Sequence, residues 1–328
     1  EYMHNSGFLQ SGLSVELSRK RVFCPASVLC VSQAPEKKVK RRPNMNKQTF
    51  YTLSNGVKIP AAGYGTYKAA DGKSAEIISA AIEVGYRCFD TASFYGTEGY
   101  LAEAITKSGI PRKEFFITSK LWKTEMGYQN AKDAFERSLE RLKTDYLDLY
   151  LIHWPLPEPG YKDWKRLDTE TWQALEELYE AGKVRAIGLS NFLPHHIENL
   201  LKNCKVKPVS DQLEFHPGYS QEAAVNYCKE HGMLVQAWSP LGRRRIMEEP
   251  LVTSLAEKYG VSPARICLKY AVERGVMPIP KASTAERMKE NMDLFSFEME
   301  KEDIYRLATM PQAGWSGEHP DRETVPAE

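Results

Sequence analysis

The sequence predicts a (β/α)8 barrel whose N-terminal end is closed by a β-hairpin. Three observations carry that expectation. Short strands, apolar almost throughout, alternate with longer stretches of helical periodicity, as in a parallel sheet covered by helices. Eight such units fit into about 280 residues, the size of one closed barrel. Nearly every strand also finishes on a polar or charged side chain, where barrels of this kind build their sites.

The pattern starts at Thr49. Residues Thr49–Leu53 and Val57–Ile59 flank Ser54-Asn55-Gly56, a hairpin signature in which Asn-Gly favours a type I′ turn. The strands that follow are Ala61–Tyr67, Arg87–Ala92, Phe115–Lys120, Leu147–Trp154, Ala186–Asn191, Val209–His216, Leu234–Pro240 and Met277–Lys281. Between them, Ala75–Val84 puts Ile77, Ile78, Ala81 and Ile82 on one helical face, and Ala131–Leu142 does so with Ala134, Phe135, Leu139 and Leu142. Thr171–Tyr179 and Ala223–His231 repeat the period. Pro194 and Pro263 suit first helical positions, and Gly85, Gly182 and Gly232 suit the positions just past helix ends. An open dinucleotide-binding sheet would need Gly-x-Gly-x-x-Gly after its first strand. Gly63-Tyr-Gly65-Thr-Tyr-Lys68 lacks the third glycine and leads into no helix, so that fold is rejected.

Composition removes other classes of function. The chain of 328 residues balances 44 Lys and Arg against 43 Asp and Glu, so no global field recruits nucleic acid or an acidic membrane. No apolar run approaches the roughly 18–20 residues that span a bilayer. Six cysteines are scattered without a CxxC pair, which reads as reduced thiols in a cytoplasmic compartment. Residues 1–44 are basic, serine-rich and poor in acids, a bias shared by transit peptides and nucleic-acid tails. We expect a disordered leader, or sequence upstream of a start at Met45, followed by a single domain over 45–328.

The strand ends supply Gly65-Thr66-Tyr67, Asp90, Lys120, His153, Ser190-Asn191, Gln212, Trp238-Ser239 and Lys281. Burying Asp, Lys or His at a strand end is costly unless they pair with one another or with a ligand. Tyr95 follows Asp90 by five residues, in the loop above the second strand. Alone it would be an ordinary loop aromatic. Beside Lys120 it becomes a candidate proton donor, because an ammonium stabilises phenolate and lowers the tyrosine pKa. Asp90 would fix Lys120, and His153 would hold a carbonyl oxygen. Metal chemistry finds no ligand spacing: His216 and His231 form no pattern, and His195-His196 lack a spaced partner. Hydrolysis lacks a Gly-x-Ser-x-Gly elbow, and Cys88 lies within an apolar strand.

Seven segments together resemble the aldo-keto reductase family, in particular its microbial diketogluconate-reductase-like members. They are Asp90-Thr-Ala-Ser-Phe-Tyr-Gly-Thr-Glu98, Ser119-Lys-Leu-Trp122, Asp145-Tyr-Leu-Asp-Leu-Tyr-Leu-Ile-His-Trp-Pro155, Gly188-Leu-Ser-Asn-Phe192, Gln212-Leu-Glu-Phe-His-Pro217, Trp238-Ser-Pro-Leu-Gly242 and Ile279-Pro-Lys281. The resemblance implies a tetrad of Tyr95, Lys120, Asp90 and His153. It implies cofactor contacts from Gly65, Thr66, Tyr67 and Asp90, carboxamide contacts from Ser190, Asn191 and Gln212, and a nicotinamide ring stacked on Trp238. Ser239, Pro240, Leu241 and Gly242 would follow the pyrophosphate, and Glu290 and Asn291 the adenine.

Thr284 is a good helix N-cap, and with Lys281, Ser283 and Arg287 it suits a 2′-phosphate, so NADPH is the expected cofactor. Ala282 stands where the family often has serine, which leaves room for some NADH use. Tyr67, Trp122, His153, Trp154 and Trp315 would line the substrate pocket, with short loops at Leu156–Asp168 and Arg243–Glu249. Arg243-Arg-Arg245 reads equally as an attractor of anionic substrates or as a solvated turn. The function implied is reduction of small aldehydes, ketones, dicarbonyls or keto-sugars by a monomer. A cofactor-binding regulatory subunit on the same barrel is the alternative.

Overall fold

The structure, a computed structural model, describes residues 49–68 and 74–322; the expected leader over 1–44 lies outside them. The hairpin consists of β1 (Phe50–Thr52) and β2 (Lys58–Pro60), paired antiparallel with Tyr51 opposite Ile59. Its turn differs from the expectation. Leu53 O accepts from Gly56 N–H at 2.8 Å, and Gly56 has a φ of +86° while Asn55 is not left-handed. This is a type I turn closed by a left-handed glycine rather than a type I′ turn, the three-residue solution for a hairpin.

Eight parallel strands then run in chain order: β3 (Gly63–Gly65), β4 (Cys88–Asp90), β5 (Phe116–Leu121), β6 (Leu149–Ile152), β7 (Ile187–Ser190), β8 (Ser210–Glu214), β9 (Leu234–Trp238) and β10 (Met277–Pro278). All eight predicted strands are present; most are trimmed at one or both ends, while β5 starts one residue later than expected and runs on to Leu121. The last is left the shortest, at two residues, because Pro278 and Pro280 have no N–H to extend a ladder. Across the seam between β10 and β3, Gly65 N–H donates to Pro280 O at 3.1 Å and Tyr64 Oη donates to Ala282 O at 2.6 Å.

Helices α1 (Ser74–Val84), α2 (Glu98–Ser108), α3 (Tyr128–Leu142), α4 (Trp164–Glu180), α5 (Pro194–Leu201) and α6 (Glu222–Glu230) each follow one strand. α7 (Pro250–Tyr259) and α8 (Pro263–Glu273) both precede β10, and α9 (Ala285–Met292) and α10 (Lys301–Ala308) follow it. α4 begins seven residues before the periodicity predicts, so its first turn occupies part of the expected Leu156–Asp168 loop. None of the described helices is long and apolar enough to cross a membrane.

Two apolar layers hold the barrel. The larger lies between strands and helices and includes Phe89, Ile117, Phe135, Trp172 and Leu189. The smaller joins Leu53 and Ile59 of the hairpin to Cys88, Phe116, Leu149 and Val209 near the strand starts, so the hairpin plugs the N-terminal end. Polar strand ends are thereby left for the other mouth. Among the described glycines, Gly188 on β7 has the least room: a Cβ would come within 2.7 Å of Ser210 O and 2.9 Å of Leu151 Cδ2. Neither the neighbouring backbone nor the packed leucine can retreat. Gly188→Ala should cost about 3 kcal/mol, read as a lower urea midpoint with an unchanged slope.

Candidate active site

Asp90 closes β4, Lys120 is the penultimate residue of β5, and His153 follows β6 directly, so three adjacent parallel strands deliver them to one end of the barrel. Tyr95 ends a short 3-10 turn, Ser93–Tyr95, which folds the loop after β4 back over the opening. Lys120 is fully buried, and its ammonium donates to Asp90 Oδ1 at 2.6 Å, Thr91 O at 3.0 Å and Tyr95 Oη at 3.4 Å. All three of its donors are used. Tyr95 Oη also lies 3.3 Å from His153 Nε2. The second Asp90 oxygen accepts from Gln212 Nε2 at 2.7 Å. The structure therefore brings the four predicted residues into one hydrogen-bonded group.

Its electrostatics differ from the sequence expectation in one respect. Burial pushes the Tyr95 phenol well above its ordinary range, and the charge of Asp90 adds to the rise. The sequence predicts a fall driven by Lys120. The ammonium does not act as a lone cation, because Asp90 closes an ion pair with it and phenolate would meet that pair. Burial also holds Lys120 below its usual range against the pull of Asp90. His153 is driven well below its ordinary value, first by burial and then by the charges of Lys120 and Lys123. The resting group is a neutral phenol, a neutral imidazole and one ion pair.

Asp90, Tyr95 and His153 line a cavity of about 670 Å³ that runs from Tyr67, Trp122 and Trp154 past Asn191, Gln212 and Trp238 to Lys281, Arg287 and Asn291. Asn191 fixes the middle. It adopts a φ of +63°, a region asparagine tolerates, donates to His153 O at 3.0 Å and accepts from Trp238 Nε1 at 2.8 Å. At the far end, Thr284 caps α9 by accepting from Arg287 N–H at 3.4 Å. Among the described residues, neither Lys281 nor Arg287 has an ion-pair partner, and both face the cavity. Two free cations beside a helix N-terminus fit a phosphate-bearing cofactor. Gly65, Ser239, Pro240, Leu241, Ser283 and Glu290 also line the wall.

Five predicted contacts stand behind that wall. Thr66 Oγ1 donates to Asp90 O, Ser190 Oγ donates to Gln212 O, Gly242 packs against Ile246, and Thr284 serves as the cap. Trp315 stacks on Tyr219 with its Nε1–H turned to Glu318 O. Sequence reasoning missed Phe94, which stacks on Trp122 at 3.9 Å, and also Met247 and Glu318. Phe94 adjoins Tyr95 inside a motif already singled out, whereas Glu318 carries no local signal. His195 and His196 do acquire a partner, since Asp321 Oδ1 lies 3.0 Å from both Nε2 atoms. His196 Nδ1 accepts from Leu193 N–H, so in the neutral ring Nε2 carries the proton. A metal ligand would need a lone pair there, and the cluster reads as an anchor for the C-terminal tail.

The sequence matches the aldo/keto reductase family over residues 61–310. It is 44% identical over 270 residues to a glyoxal reductase of Bacillus subtilis, covering 82% of this chain and 95% of that protein. It is 39% identical over 274 residues to a 9,11-endoperoxide prostaglandin H2 reductase of Trypanosoma cruzi, covering 82% and 94%. Among solved structures, an aldo/keto reductase from Brucella melitensis superposes with a TM-score of 0.74 at 40% identity, covering 80% of this chain and 98% of its own. A Bombyx mori aldo-keto reductase in complex with NADP gives 0.76 at 30% identity, covering 85% and 99%. Barrel and sequence agree over the matched length, and the chain belongs to the aldo/keto reductase family.

Proposed function

We propose that this chain reduces the carbonyl group of small aldehydes, ketones, dicarbonyls or keto-sugars with NADPH, and that Tyr95 gives the proton to the carbonyl oxygen. The observation that carries this reading is the Tyr95 hydroxyl, held between Lys120 Nζ and His153 Nε2 at the wall of a deep cavity. A reduced nicotinamide held against Trp238 supplies the hydride when bound. The residues of the chain do the rest. Neutral His153 and protonated Tyr95 hold the carbonyl oxygen, and Tyr95 releases its proton as negative charge grows there. The Lys120–Asp90 pair lies beside the phenolate formed and limits its cost. Trp122, Trp154 and Phe94 keep water from the reacting carbon.

NADPH is supported by the unpartnered Lys281 and Arg287 and by the NADP-bound silkworm relative. Dicarbonyls are supported by the likeness to a glyoxal reductase. A regulatory subunit would have no use for a buried ion pair aimed at a tyrosine. Consumption of NADPH with glyoxal, methylglyoxal and a keto-sugar tests the proposal, and no turnover with any of them would refute it. Replacing Lys281 and Arg287 together by alanine should weaken NADPH binding by roughly 30-fold to 100-fold and NADH binding by less than about threefold. Titration calorimetry reads both, and equal losses would show that the two cations do not grip the 2′-phosphate.

A further inference from the structure

The tail after α10 returns to the cavity mouth and is pinned along its length. Ala313 N–H donates to Gly218 O at 3.2 Å, and Trp315 O accepts from Arg245 Nη1 at 3.0 Å. Ser316 donates from its N–H and its hydroxyl to the two oxygens of buried Glu214, at 2.9 and 2.7 Å. Asp321 is held at His195. Between these points Glu318 enters the cavity lining and meets Arg243 in an ion pair.

Three carboxylates line that cavity among the described residues. Asp90 is taken by Lys120 and Gln212, and Glu290 belongs to α9 at the far end. Glu318 is left as the acid at the substrate mouth. Its charge reaches the reacting region, since it raises the phenols of both Tyr67 and Tyr95. Lys68, Arg243 and Arg244 all line this end of the cavity, and Arg243 is the one of the three that Glu318 already occupies.

We propose that Glu318 is a specificity-determining residue that admits uncharged carbonyl compounds and turns away those bearing a carboxylate. The inference rests on the reductase reading above. An aldehyde carrying a carboxylate must bring its charge past Glu318 and finds Arg243 neutralised. Loss of the Glu318 charge removes the repulsion and frees the guanidinium in one step.

The test compares 4-carboxybenzaldehyde with its uncharged methyl ester, two substrates of one skeleton, as the ratio of their kcat/KM values with NADPH. The unsubstituted protein should prefer the ester. Glu318→Gln should shrink that preference by about fivefold to tenfold through a gain on the acid, and Glu318→Asp, which keeps the charge, should retain it within about twofold. A tail merely loosened by substitution would change both substrates together and leave the ratio alone. An unchanged ratio in Glu318→Gln, a parallel loss on both substrates, or equal use of acid and ester by the unsubstituted protein overturns the role of Glu318 while leaving the reductase reading intact. Failure of the unsubstituted protein to reduce the ester or any other carbonyl overturns both.

Discussion

Tyr95→Phe should lower kcat/KM for every carbonyl substrate by about 1,000-fold, the scale of a lost general acid, while NADPH binding changes by less than about twofold. The phenylalanine ring retains the edge contact with His153 and the packing against Tyr67, and only the hydroxyl disappears. Lys120 and Asp90 keep their pair, so folding is largely spared. Steady-state rates paired with titration calorimetry separate the two effects. A variant that still reduces substrate within tenfold of the unsubstituted rate would remove Tyr95 from the chemistry. The pH profile supplies a second check. His153 is held neutral well below its ordinary value and Tyr95 stays protonated above its own. Neither group changes charge near pH 6.5, so reduction should show no limb there. A limb at that pH that vanishes in His153→Gln would mean that the imidazole titrates in the working range.

The sequence made legible those features whose signal is local. Asp90, Lys120 and His153 stand out because a charged residue ending an apolar strand violates the pattern around it. Pro278 and Pro280 carry a local signal too, which the expectation of a last strand reaching Lys281 leaves unused. Tyr95 became legible only through its spacing from Asp90. The remainder depends on quantities that have no local trace. The direction in which the Tyr95 phenol moves is set by how deeply the loop is buried and by how tightly Asp90 holds Lys120. The hairpin turn is decided by one backbone angle at Asn55, where the Asn-Gly pair allows two solutions. Glu318 reaches the cavity only because Ser316 meets Glu214 across 102 positions of chain, a contact that neither partner's neighbours announce. The same return explains why Arg243, one of three consecutive exposed arginines, also meets an acid in an ion pair.

Lys120→Met is the second substitution of large expected effect, and it separates catalysis from stability within one pair of charges. Lys120 is wholly buried, Asp90 nearly so, and the contact between them is 2.6 Å. Removing the ammonium leaves the Asp90 carboxylate inside the barrel with Gln212 as its remaining side-chain donor. Breaking a buried pair from one side costs about 3–5 kcal/mol, because the abandoned charge has lost its solvent and its partner together. Chemical unfolding should register that loss, and the rate of reduction should fall by at least about 100-fold because phenolate forms beside an uncompensated negative charge. Adding Asp90→Asn removes the stranded charge, so the double variant should regain most of the lost stability. Activity should not return with it, since no cation remains to stabilise the phenolate. If the double variant recovered rate as well as stability, the pair would be structural, and Tyr95 would have to draw its acidity from His153 alone.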